Sequence, residues 1–225
     1  AQFGIALQYA VQDEPNGLAE ALLIGETFLN GSPSTLILGD NIFYGFGLVD
    51  RLAAADTSPG ATIFGYRVHD PERYGVIEFD ASKNAVSLEE KPTRPKSQYA
   101  ATGLYFYDAH APDYARQLIP SARGELEITD LNRCYLDAGN LGVQLLQRGT
   151  AWLDTGTVES LMQAAQFVEA IQTRQGTVIA CLEEIALASG WIAPAEIASR
   201  IDRLGKGPYA TYLKTLLITG ASHAD

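Results

Sequence analysis

The chain has 225 residues, of which 47% are hydrophobic and 19% charged, and 16 Lys and Arg stand against 27 Asp and Glu for a formal net charge of −11. That balance suits a folded globular protein with room for one sizeable core or a domain plus an appendage. It excludes a wrapped nucleic acid, which needs clustered Lys and Arg, but not a small anion, since a bound divalent metal can reverse the local field. Two cysteines, Cys134 and Cys181, without a CxxC spacing, point to a reducing, cytoplasmic setting. No apolar run reaches the ~18 residues of a membrane span, and no membrane partner is expected.

The chain begins Ala1-Gln2-Phe3-Gly4 and runs at once into Ile5–Val11, which is strand-like; it reads as a cut through a longer protein. After the turn Pro15-Asn16-Gly17, the residues Leu18, Leu22, Gly25 and Leu29 recur at helical spacing. Thr35–Leu38 is apolar on both faces and predicts a buried parallel strand, followed by a helix near Leu48–Ala55 and a strand at Thr62–Tyr66. Residues 76–79 and 85–89 form a hairpin pattern across a polar turn. Thr102–Tyr107 is an aromatic strand.

A helix over Ile128–Asp137, closed by Gly139, precedes strands at Val143–Leu146 and Trp152–Leu153. From Thr157 the period is helical, with Leu161, Ala164, Ala165, Val168 and Ile171 on one face until Gly176. Pro194 and Pro208 stand where first-turn prolines open short helices. The alternation of strand and helix predicts an α/β domain over residues 1–157 with a helical C-terminal region over 158–225.

Chemistry concentrates at strand ends. Asp40 follows the strand Thr35–Leu38, where open α/β sheets bind ligands; it either points into that crevice or caps the next helix. Asp154, after Trp152-Leu153, poses the same choice. Two carboxylates so placed can share an oxygen-ligand site for Mg²⁺ around a substrate phosphate. Glu89-Glu90-Lys91-Pro92 ends a strand, and alternation lets only one of the two acids line a pocket. Lys91 is either a phosphate-binding point charge or part of a solvated cluster. His69, His110 and His223 lack metal-ligand spacing, no Ser lies in a G-x-S-x-G elbow, and Gly205-Lys206-Gly207 is no P-loop.

Several segments closely resemble the glucose-1-phosphate thymidylyltransferase family: residues 38–45 (LGDNIFYG), 70–76 (DPERYGV), 87–92 (SLEEKP), 102–108 (TGLYFYD), 121–130 (SARGELEITD) and 148–157 (RGTAWLDTGT). The resemblance runs in order up to about Leu217. It implies a Rossmann-like nucleotidyltransferase sandwich with a mixed central sheet. The activity it implies is Mg²⁺-dependent transfer of a thymidylyl group from dTTP to α-D-glucose 1-phosphate, giving dTDP-glucose and pyrophosphate, the first step toward dTDP-rhamnose.

By the same resemblance, Asp40 and Asp154 hold Mg²⁺, Gln12 and Gly17 recognise thymine, and Gly75, Glu90 and Lys91 form the sugar phosphate pocket. Glu90 serves hydroxyls and Lys91 the phosphate, with Ala101 and Tyr105 near the sugar. Ala101 replaces the family's usual Val. A homo-oligomer, a tetramer, is implied as well.

The chain departs from the family in two places. The family's Gly-rich G-G-x-G-T-R-L phosphate loop and the Lys that follows it do not occur in these 225 residues. The expectation is therefore that the N-terminal strands of the sheet are absent and that this chain alone is inactive. The competing reading is a non-catalytic nucleotide-sugar-binding module of the same fold. The family also uses the neighbourhood of residues 181–186 for a second, inhibitory nucleotide site, where Ala188 stands in place of the usual Arg.

Overall fold

The computed structural model describes residues 3–55 and 59–219; Ala1, Gln2 and His223 lie outside the described residues. The chain divides into two compact units, residues 10–152 and a second made of the N-terminal residues to Tyr9 with Leu153 onward.

The larger unit is built on a mixed six-stranded sheet. Its strands are β1 (Ser34–Ile37), β3 (Ala61–Arg67), β4 (Gly75–Phe79), β5 (Ala85–Glu90), β6 (Tyr99–Tyr107) and β7 (Leu141–Leu145), and β2 (Asn41–Tyr44) lies in a separate short ribbon. Five strands follow the order β5-β4-β6-β3-β7, with β1 also on β6. Only β3 and β7 run parallel; β4–β5, β4–β6, β3–β6 and β1–β6 are antiparallel. The predicted hairpin is β4–β5, turned by Asp80, whose carboxylate accepts the backbone N–H groups of Ser82 and Asn84.

Strand alternation sorts side chains to two faces. Ile63, Ile77, Tyr105 and Tyr107 bury on one face with Leu22 of α1 (Glu20–Ile24), Ala111 and Ala115 of α4 (Ala111–Gln117), and Leu131 and Tyr135 of α5 (Ile128–Asp137). Phe64, Leu104 and Leu146 bury on the other, beneath Leu48 and Leu52 of α3 (Leu48–Ala53). Asp108, just past β6, ties the ends together: its carboxylate accepts from Gly60 N–H at 2.9 Å, His110 N–H at 2.9 Å and the Tyr135 hydroxyl at 2.7 Å. Burial opposes its charge, and these donors outweigh burial and lower its pKa.

Two expected strands turn out differently. Residues 5–11 form no strand; Leu7, Tyr9 and Val11 are exposed. Their composition suits a strand, but a strand persists only with a ladder partner and a face to bury. Thr35–Leu38 is neither buried nor parallel. Among the described residues β1 pairs antiparallel with β6 alone, and Ile37 is 60% exposed. The predicted helix over 18–29 is two short pieces, α1 and α2 (Glu26–Leu29), divided at Gly25.

The second unit is helical. Helix α6 (Val158–Gln175) opens on a capping box, Thr157 with Ser160, and closes on Gly176 at φ 69°. Of its apolar residues only Ala164 is buried. Helices α7 (Leu182–Ala188), α8 (Pro194–Leu204) and α9 (Pro208–Thr219) pack around Cys181, Ile197, Ile201 and Leu213, the last two helices opening on the expected prolines. Arg200, buried at 6% exposure, pairs with Glu183 at 3.3 Å and lies over the Phe3 ring at 4.2 Å. Among the described residues no helix is long and apolar enough to cross a membrane.

Candidate functional site

The sheet forks at β6. β4 pairs with it as far as Ala100, and β1 takes up pairing from Leu104, so residues 101–103 of β6 sit between two ladders. Backbone groups left open in a sheet must find other partners. Here Leu38 N–H donates to the Gly103 carbonyl at 2.9 Å and Gly103 N–H donates to Asn41 Oδ1 at 3.2 Å. A Cβ at Gly103 would lie 2.6 Å from Asn41 Oδ1, so a larger residue there would push that amide out of place.

Asn41 carries the arrangement outward to Asp40. Its Oδ1 also accepts the Trp152 indole N–H at 2.6 Å, which fixes the amide so that Nδ2 donates to Asp40 Oδ1 at 2.8 Å. Trp152 in turn packs edge-on to Tyr66 and against Tyr74, with ring centroids at 5.7 and 5.1 Å. Asp40 is exposed.

On the β4 side of the fork, Gly75 is in register with Glu90 of β5. Glu90 faces inward and Glu89 outward, as alternation requires. Thr129, in the first turn of α5, donates its hydroxyl to Glu90 Oε2 at 2.6 Å. Glu90 Oε1 lies 3.7 Å from Lys91 Nζ and 3.7 Å from Arg123 Nη2. Lys91 leaves the strand at φ 43°, a left-handed conformation uncommon for a side chain of this size, held by its N–H donating to the Tyr74 carbonyl at 3.0 Å. Its ammonium remains half-exposed.

Arg123 is gripped by Glu127, with Nη2–Oε2 at 2.8 Å, and its pKa is raised chiefly by those hydrogen bonds. Ala101 is partly buried at the fork. Tyr105 lies deeper, 4% exposed and stacked on Tyr107, and burial followed by the nearby Glu90 charge raises its hydroxyl pKa.

The Gln12–Gly17 segment belongs to the same unit and is stapled to the residue two before α5. Leu126 N–H donates to the Asn16 carbonyl at 2.6 Å, and Ala19 N–H donates to the Leu126 carbonyl at 3.2 Å. Gly17 adopts φ 106°, and a Cβ there would lie 2.4 Å from the Leu126 oxygen. Gln12 donates to the Gly17 carbonyl at 3.0 Å and to Glu20 at 2.6 Å; with Asn16 it lowers the Glu20 pKa.

Asp154 falls in the second unit. There its Oδ1 accepts Gly156 N–H at 3.0 Å in the turn that leads to the Thr157 cap. Of the predicted residues, the structure thus gathers Asp40, Gly75, Glu90, Lys91, Ala101 and Tyr105 around one fork. Asn41, Thr129 and Arg123 join them without having been singled out. All three lie inside segments that carry the resemblance, but their roles rest on contacts across 33 to 111 residues that spacing does not reveal.

Comparison with known proteins bears on the whole chain. The family model described as nucleotidyl transferase matches residues 1–171. A glucose-1-phosphate thymidylyltransferase of Xanthomonas campestris pv. campestris is 57% identical over 224 residues, 99% of this chain and 76% of that protein. One from Neisseria gonorrhoeae is 57% identical over 218 residues, 96% of this chain and 76% of that protein. A crystal structure from Bacillus anthracis, solved with a sucrose and provisionally given the same enzyme name, is 40% identical. It matches with a TM-score of 0.65 over 74% of this chain and 66% of that one. The α/β architecture with its mixed sheet is therefore the Rossmann-like fold of these enzymes. The chain belongs to the nucleotidyl transferase family, in its glucose-1-phosphate thymidylyltransferase branch.

Proposed function

We propose that this chain carries the sugar phosphate and metal-binding parts of a glucose-1-phosphate thymidylyltransferase. The reaction joins the thymidylyl group of dTTP to α-D-glucose 1-phosphate, releasing pyrophosphate, and its dTDP-glucose serves dTDP-rhamnose synthesis. The observation that carries this reading is the fork: a hydroxyl-binding carboxylate, Glu90, stands with two cations, Lys91 and Arg123, within 3.7 Å of one of its oxygens. A sugar phosphate offers the complementary pair of groups, hydroxyls and a dianion.

In-line attack of the sugar phosphate oxygen on the α-phosphorus asks the protein mainly to position and to neutralise. Glu90 accepts sugar hydroxyls, while Lys91 and Arg123 hold the phosphate without needing to move a proton. Gly75 leaves room beside Glu90, and Ala101 and Tyr105 are proposed to lie near the sugar. Gln12 and Gly17 are proposed to read the base.

Asp40 and Asp154 supply hard oxygen donors of the kind Mg²⁺ takes. Among the described residues no group of three His, Cys, Asp or Glu could hold a metal ion. Mg²⁺ takes one or two carboxylates and fills its shell with water and phosphate oxygens, so each of these acids is suited to it on its own, and the bound ion would neutralise charge developing on the phosphates.

Calorimetric titration of glucose 1-phosphate into the chain tests the reading. Binding is expected, and its absence refutes the proposed site. The missing Gly-rich loop and its Arg make turnover by these residues alone lower by about 10³-fold or more. Joined to a relative's loop segment, the chain is expected to form dTDP-glucose. In that protein Asp40→Asn and Asp154→Asn should each lower turnover by roughly 10²-fold; full activity in either refutes its role as a metal ligand.

The competing reading is a nucleotide-sugar-binding module of the same fold without catalysis. Sugar phosphate binding without turnover in the completed protein would select it. The oligomer implied by the resemblance, a tetramer, is proposed for the same protein and is read by light scattering.

A further inference from the structure

Glu90 has two oxygens with different neighbours. Oε2 accepts the Thr129 hydroxyl at 2.6 Å, whereas Oε1 lies 3.7 Å from both Lys91 Nζ and Arg123 Nη2. Thr129 itself is 2% exposed and stands in the first turn of α5, a helix whose start is anchored by the Glu127–Arg123 pair and by Ser121 donating to Glu127. The hydroxyl reaches Glu90 through a gap left by Gly75: a Cβ on Gly75 would sit 2.6 Å from Thr129 Oγ1 and 3.3 Å from Glu90 Oε2. Gly75 has no left-handed backbone that would demand glycine, so the space itself is what its small size supplies.

We infer that Thr129 is a positioning residue for sugar recognition, holding Glu90 by one oxygen so that the other faces the hydroxyls of the bound hexose phosphate. This rests on the reading of Glu90 as the hydroxyl-binding group. A buried hydroxyl with one strong acceptor has a single satisfied orientation, and a hydrogen bond to a carboxylate is among the stronger ones. The carboxylate is thereby fixed at its inner oxygen by a buried side chain. Gly75 acts in the same device by leaving the path open.

The test titrates two probes, glucose 1-phosphate and inorganic phosphate, into the 225-residue chain and three variants. Thr129→Val keeps the shape and removes the hydroxyl; glucose 1-phosphate should bind about tenfold more weakly, the size of a lost hydrogen bond to a charged group. Inorganic phosphate, which meets the cations and has no sugar hydroxyls, should stay within about twofold on the same reasoning. Thr129→Ser should recover most of the loss, and Gly75→Ala should reproduce it.

Unchanged glucose 1-phosphate affinity in Thr129→Val overturns the inference while leaving Glu90 in place. Equal weakening of both probes, or failure of Thr129→Ser to recover, also overturns it, because either marks a general structural role. If the unaltered chain binds inorganic phosphate but gains nothing from the sugar, the reading of Glu90 fails and the inference falls with it. If the unaltered chain binds neither probe, the proposed site is wrong and both fall.

Discussion

The two proposed recognition surfaces of the larger unit are built in opposite ways. The Gly75–Glu90–Lys91 side stands on paired strands and the first turn of α5, so its groups inherit their positions from a sheet and a buried core. The Gln12–Gly17 side lies on exposed chain with no regular structure and is fixed at one place, where Asn16 and Ala19 exchange backbone hydrogen bonds with Leu126. A site on a sheet tolerates the loss of one contact, because the scaffold survives it. A site on a stapled loop depends on the staple.

That contrast orders the effects of substitution. Gly17→Ala should be the most damaging, because a methyl group would meet the Leu126 oxygen at 2.4 Å in a backbone that already has φ 106°. The loop must leave its staple at a cost of about 3 kcal/mol, and dTTP affinity should fall by ~10²-fold. Circular dichroism melts with a dTTP titration would check it, and a variant that binds normally breaks the contrast.

Lys91→Ala should weaken glucose 1-phosphate by roughly 10- to 100-fold, the range for a charged hydrogen-bond partner, with an unchanged melt because the ammonium is half-exposed. Gln12→Ala removes an exposed amide that donates to Gly17 and Glu20. It should cost dTTP affinity about threefold to tenfold and leave glucose 1-phosphate untouched, a separation that equilibrium titrations of the two ligands would read.

Asp108 belongs to neither surface and calibrates the scaffold. Its pKa is depressed in the folded protein, so the unfolded chain binds the extra proton. Its contribution is present above the unfolded carboxylate value of about 3.9 and is lost as pH falls through the lower folded value. Asp108→Asn should therefore flatten the acid side of the melting profile while leaving both ligands unaffected at neutral pH. A profile as steep as the parent's would contradict the assignment.

The contrast also explains what could be read from the sequence. The hairpin β4–β5, helix α5 with Gly139 beyond it, and helix α6 between Thr157 and Gly176 are local matters of period and capping, and they stand as expected. Residues 5–11 have the same strand-like composition as 102–107. Only the second group finds ladder partners, and a partner is not a property of the segment. The fork at β6 comes from β1 and β4 sharing one edge, which no single run of residues announces. Glu90 and Lys91 could be picked out at a strand end, yet Thr129 and Arg123 become visible only when α5 and the loop before it are folded onto β5. Asn41 stood beside Asp40 in the same motif, but its role depends on Trp152, 111 residues away.

The central claim is that the fork on β6 binds a hexose 1-phosphate. Titration of glucose 1-phosphate into this chain and into Glu90→Gln tests it most directly. The account predicts saturable binding to the parent chain and about tenfold weaker binding to the variant, with the affinity for inorganic phosphate unchanged. Equal affinity of parent and variant for glucose 1-phosphate, or none in either, would contradict it.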